Sequence, residues 1–596
     1  MTRLLCIIGV IVAGVSSGVS AAPQRQDRPK VRIVSIDGNS LFTDDRLLKL
    51  MATRPPGFLS STRYHEALFN DDLDNVLAFY RGHGHLDAFI SDTSVTLDSA
   101  TNTVDIRFAL DEGPQTTVEA FAVFGNTVFA DSTVLARIPL KPGDPCSPVA
   151  LQNGTLAVLR MYADTGYLDA RVEPAMKVNE STHRAVIDLV VSENRQVTID
   201  SVLIAGLDMT NEHVVLRELE FGAGDILSYG KLLQAQRRLY LTGLFESVFV
   251  RPDGAAPGAA NRRNVVVEVT ESMYGEFNVA AGYGSVEKPR VRIEISHRNL
   301  AGTARQLGGR IDASFIKQGI TASFTEPRTI GSRWRTDINA LFELQQEPSY
   351  DLTRYGWRAA IGRSVLQNGT LTFTYRFENT SLTKVEALDY PDDIDPRIRS
   401  LSVSFANDTR DDPFDPRRGS LVDIRAELAG GFLRGTNSFA RTEMNAKRYW
   451  PAGRYTTFAS AARVGWQDAF GSSGDIPISE RFFAGGPTAL RGLEYQRAGP
   501  VDNLGNPLGG KFIFVWNVIE VRRIIYKVLG AALFLDVGNV FPAITDFSIG
   551  DLRASAGPGL RAGTPIGILR LDWGINLDRK SGEPAGQVYF SMGHAF

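Results

Sequence analysis

Cysteine is almost missing from this 596-residue chain, Cys6 and Cys146 being its only two. Cys6 falls in the apolar opening MTRLLCIIGVIVAGVSSGVSAAP, where Arg3, the run from Leu4 to Val15 and Val19-Ser20-Ala21 have the layout of a secretory signal (1–21) cleaved after Ala21. Removing it leaves one thiol and excludes an internal disulfide. Cys6 also lacks the polar residues that precede a lipid-modified cysteine. Long apolar runs are missing as well, for beyond the signal nothing approaches the roughly 18 consecutive apolar residues of a membrane helix. Any crossing falls to strands, and among strand structures only a closed barrel satisfies its backbone groups in hydrocarbon. A basic surplus is missing too: the formal net charge is -3, so nucleic acid is not an expected partner.

Signatures of catalysis and metal binding are equally scarce. Neither a P-loop nor H-E-x-x-H occurs. GVSSG (14–18) has the serine-hydrolase spacing but lies inside the signal. His83 and His85 flank Gly84 with no cysteine or third spaced histidine to complete a metal site. The acidic stretch LDYPDDIDP (388–396) carries two prolines and no EF-hand spacing, and reads as a solvated loop. No enzyme activity, metal or cofactor is expected.

What is present is repetition. From residue 28 to 272 a pattern recurs at about 80 residues: Gly38, Gly125 and Gly206 after a first strand, then Gly84, Gly166 and Gly243 where a helix must stop. Each copy reads strand, helix, helix, strand, strand, with boundaries expected at 28–112, 113–193 and 194–272. The helix tyrosines Tyr80, Tyr162 and Tyr240 are expected in the cores. Open sheet edges in such α+β modules are able to pair with a visiting strand.

From 273 to 596 the period changes to two. TLTFTYRFE (370–378) sets Leu371, Phe373, Tyr375 and Phe377 against Thr370, Thr372, Thr374, Arg376 and Glu378, and VRIEIS, RIDASF and LRLDWGIN alternate alike. All six tryptophans, Trp334, Trp357, Trp450, Trp466, Trp516 and Trp573, lie in this half, as interfacial girdles require. The length predicts an antiparallel transmembrane barrel of roughly 16 strands.

Three module repeats, DTRDDPFDPRRG (408–419), RFFAGGPTALRG (481–492), LDVGNVF (535–541) and the terminal FSMGHAF together resemble the outer-membrane assembly-factor family of BamA and TamA. That family carries polypeptide-transport-associated (POTRA) modules before a 16-stranded barrel. Three modules and the wording RFFAGG are more similar to TamA. Leu493 departs from the Phe or Tyr that the family carries after Arg-Gly. The resemblance implies assembly, insertion or translocation of β-rich proteins at the outer membrane, with the modules in the periplasm. Implied partners are unfolded outer-membrane clients, periplasmic chaperones, the bilayer, and a TamB-type inner-membrane-anchored protein or outer-membrane lipoproteins. It implies a seam between a first strand near 277–284, where Gly282 and Gly284 weaken pairing, and a last strand, 588–596. It also implies an insertion signal at Phe590, Gly593 and Phe596. The alternative reading is a porin or a secretion pore for a dedicated substrate.

In FFAGGPTALRGLEYQ (482–496), Gly485 and Gly486 permit a tight fold-back, and the apolar residues around them favour tucking into the lumen. An arginine there requires a carboxylate. Glu520 and Asp536 each interrupt an apolar strand and are candidates, although simple barrel alternation also explains both. The resemblance, which extends to the Arg491-Gly492 pair, favours Asp536 first and Glu520 second.

Overall fold

The computed structural model describes residues 28–56, 62–255, 261–386, 395–564 and 567–592. The signal segment, residues 388–394 of the acidic stretch, Gly593 and Phe596 lie outside the described residues.

The first module runs β1 (Lys30–Asp37), α1 (Asp44–Leu48), α2 (Glu66–Gly82), β2 (Phe89–Asp98), β3 (Thr103–Asp111); the second β4 (Thr117–Phe124), α3 (Asp131–Leu135), α4 (Pro148–Asp164), β5 (Arg171–Asn179), β6 (Arg184–Ser192). The third has β7 (Thr198–Ala205), α5 (Glu212–Leu219), α6 (Tyr229–Leu241), β8 (Phe245–Ala255), β9 (Arg262–Glu271). In each sheet the last strand is central, and in the first two it runs parallel to the first strand and antiparallel to the other. The local chemistry is explicit in α4. Ser147 accepts a hydrogen bond from the Ala150 N–H, Pro148 opens the helix, and Leu151, Val158 and Tyr162 face the core. The Gly38, Gly125 and Gly206 series has its own cause. All three take positive φ, and an added Cβ would collide with the carbonyl oxygen of Leu110, Val191 or Val269 on the neighbouring strand.

One core expectation is corrected. Tyr80 and Tyr162 are fully buried, whereas Tyr240 is 59% exposed. In α6 the inward face is taken by Leu232, Ala235 and Leu239, and Tyr240 is turned to the opposite side. A carboxylate at the end of the last strand of each copy, or one residue past it, organises the modules. Glu112 accepts from the Leu41 N–H and the Tyr80 hydroxyl at 2.9 Å each, and Glu193 accepts from the Thr127 N–H and the Tyr162 hydroxyl, both at 2.8 Å. Glu271 accepts from the N–H groups of Met209 (3.0 Å) and Thr210 (2.8 Å). Burial opposes its charge, but these donors prevail and lower its pKa to about 2. Its tyrosine is Tyr274, from just beyond the repeat.

Residues 204–220 and 235–250 of the third module cluster with 267–596 as one compact unit. Sixteen antiparallel strands, β10 (Gly275–Gly284) to β25 (Gly586–Met592), follow in sequence order. Phe277, Ile293, Phe373, Leu533 and Trp573 point outward and are exposed, while Glu378, Glu427, Glu520, Asp536 and Asp572 are buried on the inner wall. An apolar exterior over a polar interior is the pattern of a barrel in lipid. Trp450, Trp466, Trp516 and Trp573 lie near strand ends on the outer surface, at girdle positions. Because each strand reverses the last, alternate connections return to the rim where β10 begins, here the near rim; the others form the far rim. Near-rim Arg328 meets Glu218 of the third module with Nε at 2.9 Å, and Arg333 pairs with Glu220.

Candidate functional site: an inward loop and a seam

Between β20 (Thr456–Ala469) and β21 (Phe512–Tyr526) the far-rim connection turns into the lumen. Gly485 and Gly486 have φ near +100°, and a Cβ on Gly485 would strike the Glu494 carbonyl. Phe482, Ala484, Leu490, Leu493 and Ala498 form a buried apolar cluster with Ile513, Val515 and Val540 on the wall. That cluster gives Leu493 its place without an aromatic ring.

Arg491 emerges from this cluster with no solvent exposure. Its Nε donates to Asp536 Oδ2 at 2.7 Å and its Nη2 to Asp536 Oδ1 at 2.7 Å, a bidentate pair with β22 (Leu529–Phe541). Its Nη1 donates to Glu520 on β21 and lies 3.6 Å from Asp572 on β24 (Gly567–Asn576). The guanidinium carbon sits 3.5 Å from the ring centre of Phe534, which shares the Asp536 face. Asn517 steadies Asp536 by donating to Oδ1 at 2.9 Å and to the Ala489 carbonyl at 2.8 Å. Glu520 also takes Arg522 (2.8 Å) and Arg561 (3.3 Å), and Asp572 takes Arg561 at 2.6 Å. Each buried charge therefore meets its opposite. Gly492 lies flush against the wall, where a Cβ would come within 2.6 Å of Ser555 and 2.7 Å of the Ile575 carbonyl. Tyr589 on β25 donates to the Leu493 carbonyl.

A second anchor holds the start of the same loop. Glu480 accepts from Arg376 on β16 (Gly369–Thr383) through both oxygens, at 3.2 and 3.1 Å, and from Arg441 on β19 (Phe439–Ala452) at 3.2 Å. Glu427, on β18 (Gly419–Ala429), shares Arg376 at 3.0 Å. Sequence reasoning missed Glu480, Arg376, Glu427, Arg441 and Asp572. For Arg376, Glu427, Arg441 and Asp572 the available signal was a charge on the polar face of an alternating strand; Glu480, in the loop, carried no such signal.

The barrel's first and last strands are differently joined. Every consecutive pair from β10 to β25 is joined by an antiparallel ladder, with register shifts in several, β20–β21 and β21–β22 among them, yet among the described residues no ladder links β10 with β25. Instead Ser285 spans the gap: its N–H donates to the Phe590 carbonyl at 2.9 Å and its Oγ accepts from the Phe590 N–H at 2.6 Å. Tyr283 and Phe590 place their rings 6.0 Å apart there. Gly282 and Gly284 lie on β10 in unbroken register with Arg290 and Lys288, so the weak edge of β10 is the opposite one. His83 and His85 each bond a backbone carbonyl, of Phe79 and Gly113, through Nδ1.

The Omp85 superfamily domain matches residues 299–596, and POTRA, described as a surface antigen variable number repeat, matches 29–113, 116–194 and 197–272. The outer membrane protein assembly factor BamA of Nitratidesulfovibrio vulgaris is 25% identical over 589 residues, covering 95% of this chain and 73% of that protein. BamA of Neisseria meningitidis serogroup B is 21% identical, covering 95% of this chain and 78% of its own length. The crystal structure of Haemophilus ducreyi BamA lacking POTRA domains 1–3 shares the fold at 20% identity and a TM-score of 0.69, over 80% of this chain and 99% of that one. A sixteen-stranded barrel with an open lip follows three repeats in the order these matches require, and the chain belongs to the Omp85 superfamily.

Proposed function

We propose that this chain is an outer-membrane assembly factor that inserts client β-barrel proteins, or translocates autotransporter-type chains, through its own seam. The carrying observation is the contrast between the two sides of the barrel. Among the described residues one residue, Ser285, bridges the first and last strands by hydrogen bonds, while β21, β22, β24 and β25 are tied to an inward loop. A wall with one weak edge opens there before it opens elsewhere, and the unpaired edge of β10 then accepts a client strand. Relatives bearing the assembly-factor name over most of the chain support the reading.

In this reading residues 22–272 are a periplasmic arm whose sheet edges receive unfolded clients from chaperones, and a TamB-type partner or lipoproteins complete the machine. Arg491 and Gly492 lock the loop to Asp536 and Glu520, and Phe590, Gly593 and Phe596 form the stretch read during the chain's own insertion. The role is mechanical and requires no catalytic group. The test is a Ser285→Cys, Phe590→Cys pair in a Cys146→Ala background, reconstituted in liposomes. Oxidation should stop the folding of an added client barrel and reductant should restore it. Client folding at an unchanged rate with the seam crosslinked, or a steady large conductance with no effect on clients, would favour a pore instead.

A further inference from the structure

The turn 409–418, joining β17 (Arg397–Asp408) to β18 at the near rim, takes no part in locking the loop. It is wound tightly on its own carboxylates. Asp411 accepts from the N–H groups of Arg417 (2.9 Å) and Arg418 (3.1 Å), and Asp412 from that of Phe414 (2.7 Å). The winding sets Arg417 at a near-rim cavity of about 250 Å³. Arg522, Arg523, Lys527 and Arg561 line the same cavity, and Asp415 is the one carboxylate among its lining residues. Arg561 is 7% exposed, and its Nε has no hydrogen-bond partner. Beside these cations stands an apolar edge: Tyr455, Ile525, Tyr526, Val528 and Leu529 are each more than half exposed.

We propose that this cavity binds the phosphate headgroup of an anionic glycerophospholipid from the near-rim leaflet. Arg522 and Arg561 share their charge with Glu520 and Asp572 on the inner wall, but Arg417, Arg523 and Lys527 add three cations against Asp415 and leave the cavity positive, and guanidinium groups match phosphate oxygens in pairs. The acyl chains lie over Ile525, Tyr526 and Leu529 on the outer wall, which accounts for apolar side chains left bare beside Lys527. A free polypeptide carboxylate matches the charge but leaves that apolar edge unused. A lipid uses both.

The full chain is purified in dodecylmaltoside, offered phosphatidylglycerol, phosphatidylcholine, lipid A or a peptide with a free terminal carboxylate, and bound species are counted by native mass spectrometry. The variant carries Arg417→Gln and Lys527→Gln, because Arg522 and Arg561 also pair with Glu520. Wild type should retain phosphatidylglycerol in preference to phosphatidylcholine, and the variant should bind it roughly tenfold to thirtyfold more weakly. An unchanged melting point of the variant in phosphatidylcholine nanodiscs, together with that loss, supports a binding site. Equal retention of both glycerophospholipids, or equal binding by the variant, overturns the proposal. Retention of lipid A in place of phosphatidylglycerol overturns the leaflet assignment, and retention of the peptide alone assigns the cavity to a polypeptide.

Discussion

Tyr589 on the last strand donates its hydroxyl to the backbone carbonyl of Leu493 at 2.7 Å, joining one lip of the seam to the tip of the inward loop. Both groups are buried, so neither has water as a substitute. In Tyr589→Phe the carbonyl is left unsatisfied, at a cost of about 1–3 kcal/mol. The expected result is faster crosslinking of cysteines placed across the seam, with the fold intact by circular dichroism. An unchanged crosslinking rate would uncouple loop and lip.

Arg491→Ala strands Asp536 in the wall with Asn517 but no cation, while Glu520 keeps Arg522 and Arg561, and removing one partner of such a buried pair costs on the order of 3–5 kcal/mol, less in a wet lumen. The folded barrel should lose its resistance to heating on a gel at a lower temperature. Arg491→Lys should rescue little, since an ammonium cannot form the Nε and Nη2 pair with Asp536. Full rescue by lysine would mean that charge alone matters.

Glu480→Gln tests the other anchor. Its partners Arg376 and Arg441 share none of the carboxylates that hold Arg491. The drop in the gel transition should therefore add to that of Arg491→Ala within about 0.5 kcal/mol. A double variant no worse than either single one would show that the loop leaves the lumen once either end is cut.

The modules should be acid-sensitive. Glu271 titrates at about 2 against an ordinary 4.5, and hydrogen-bond donors likewise lower Glu112 and Glu193. A carboxylate depressed in the folded state contributes fully above its unfolded value, and that contribution is lost as pH falls through the folded one. The melting temperature of residues 22–274 should hold steady from pH 7 to about 5 and decline from about 4.5 toward 2. Glu271→Gln should lower it at neutral pH and flatten part of the decline. A midpoint rising on acidification would contradict the assignment.

The repeats and the barrel were legible because each writes a period into the sequence: about 80 residues for the modules and two for the strands. Asp536 and Glu520 were visible as charges interrupting apolar strands. The partners of Glu480 were not, since Arg376 and Arg441 are 104 and 39 residues away and meet it only through barrel curvature and loop path. Tyr240 failed for a local reason. Aligning the third helix by its tyrosine misplaces the inward face, which Leu239 fills, and Tyr274 supplies the ring next to Glu271 from outside the repeat.

The two lips of the seam are mechanically unequal. β25 is fastened through Tyr589 to a loop that is itself tied to β16, β19, β21 and β22, so it behaves as a fixed post. Among the described residues, the hydrogen bonds of β10 run to its hairpin partner β11 (Lys288–Leu300) and, through the adjoining Ser285, to Phe590. Force applied at the gap therefore swings the β10 hairpin outward like a door leaf against a rigid jamb, and an incoming strand meets a moving template on one side and a stationary one on the other.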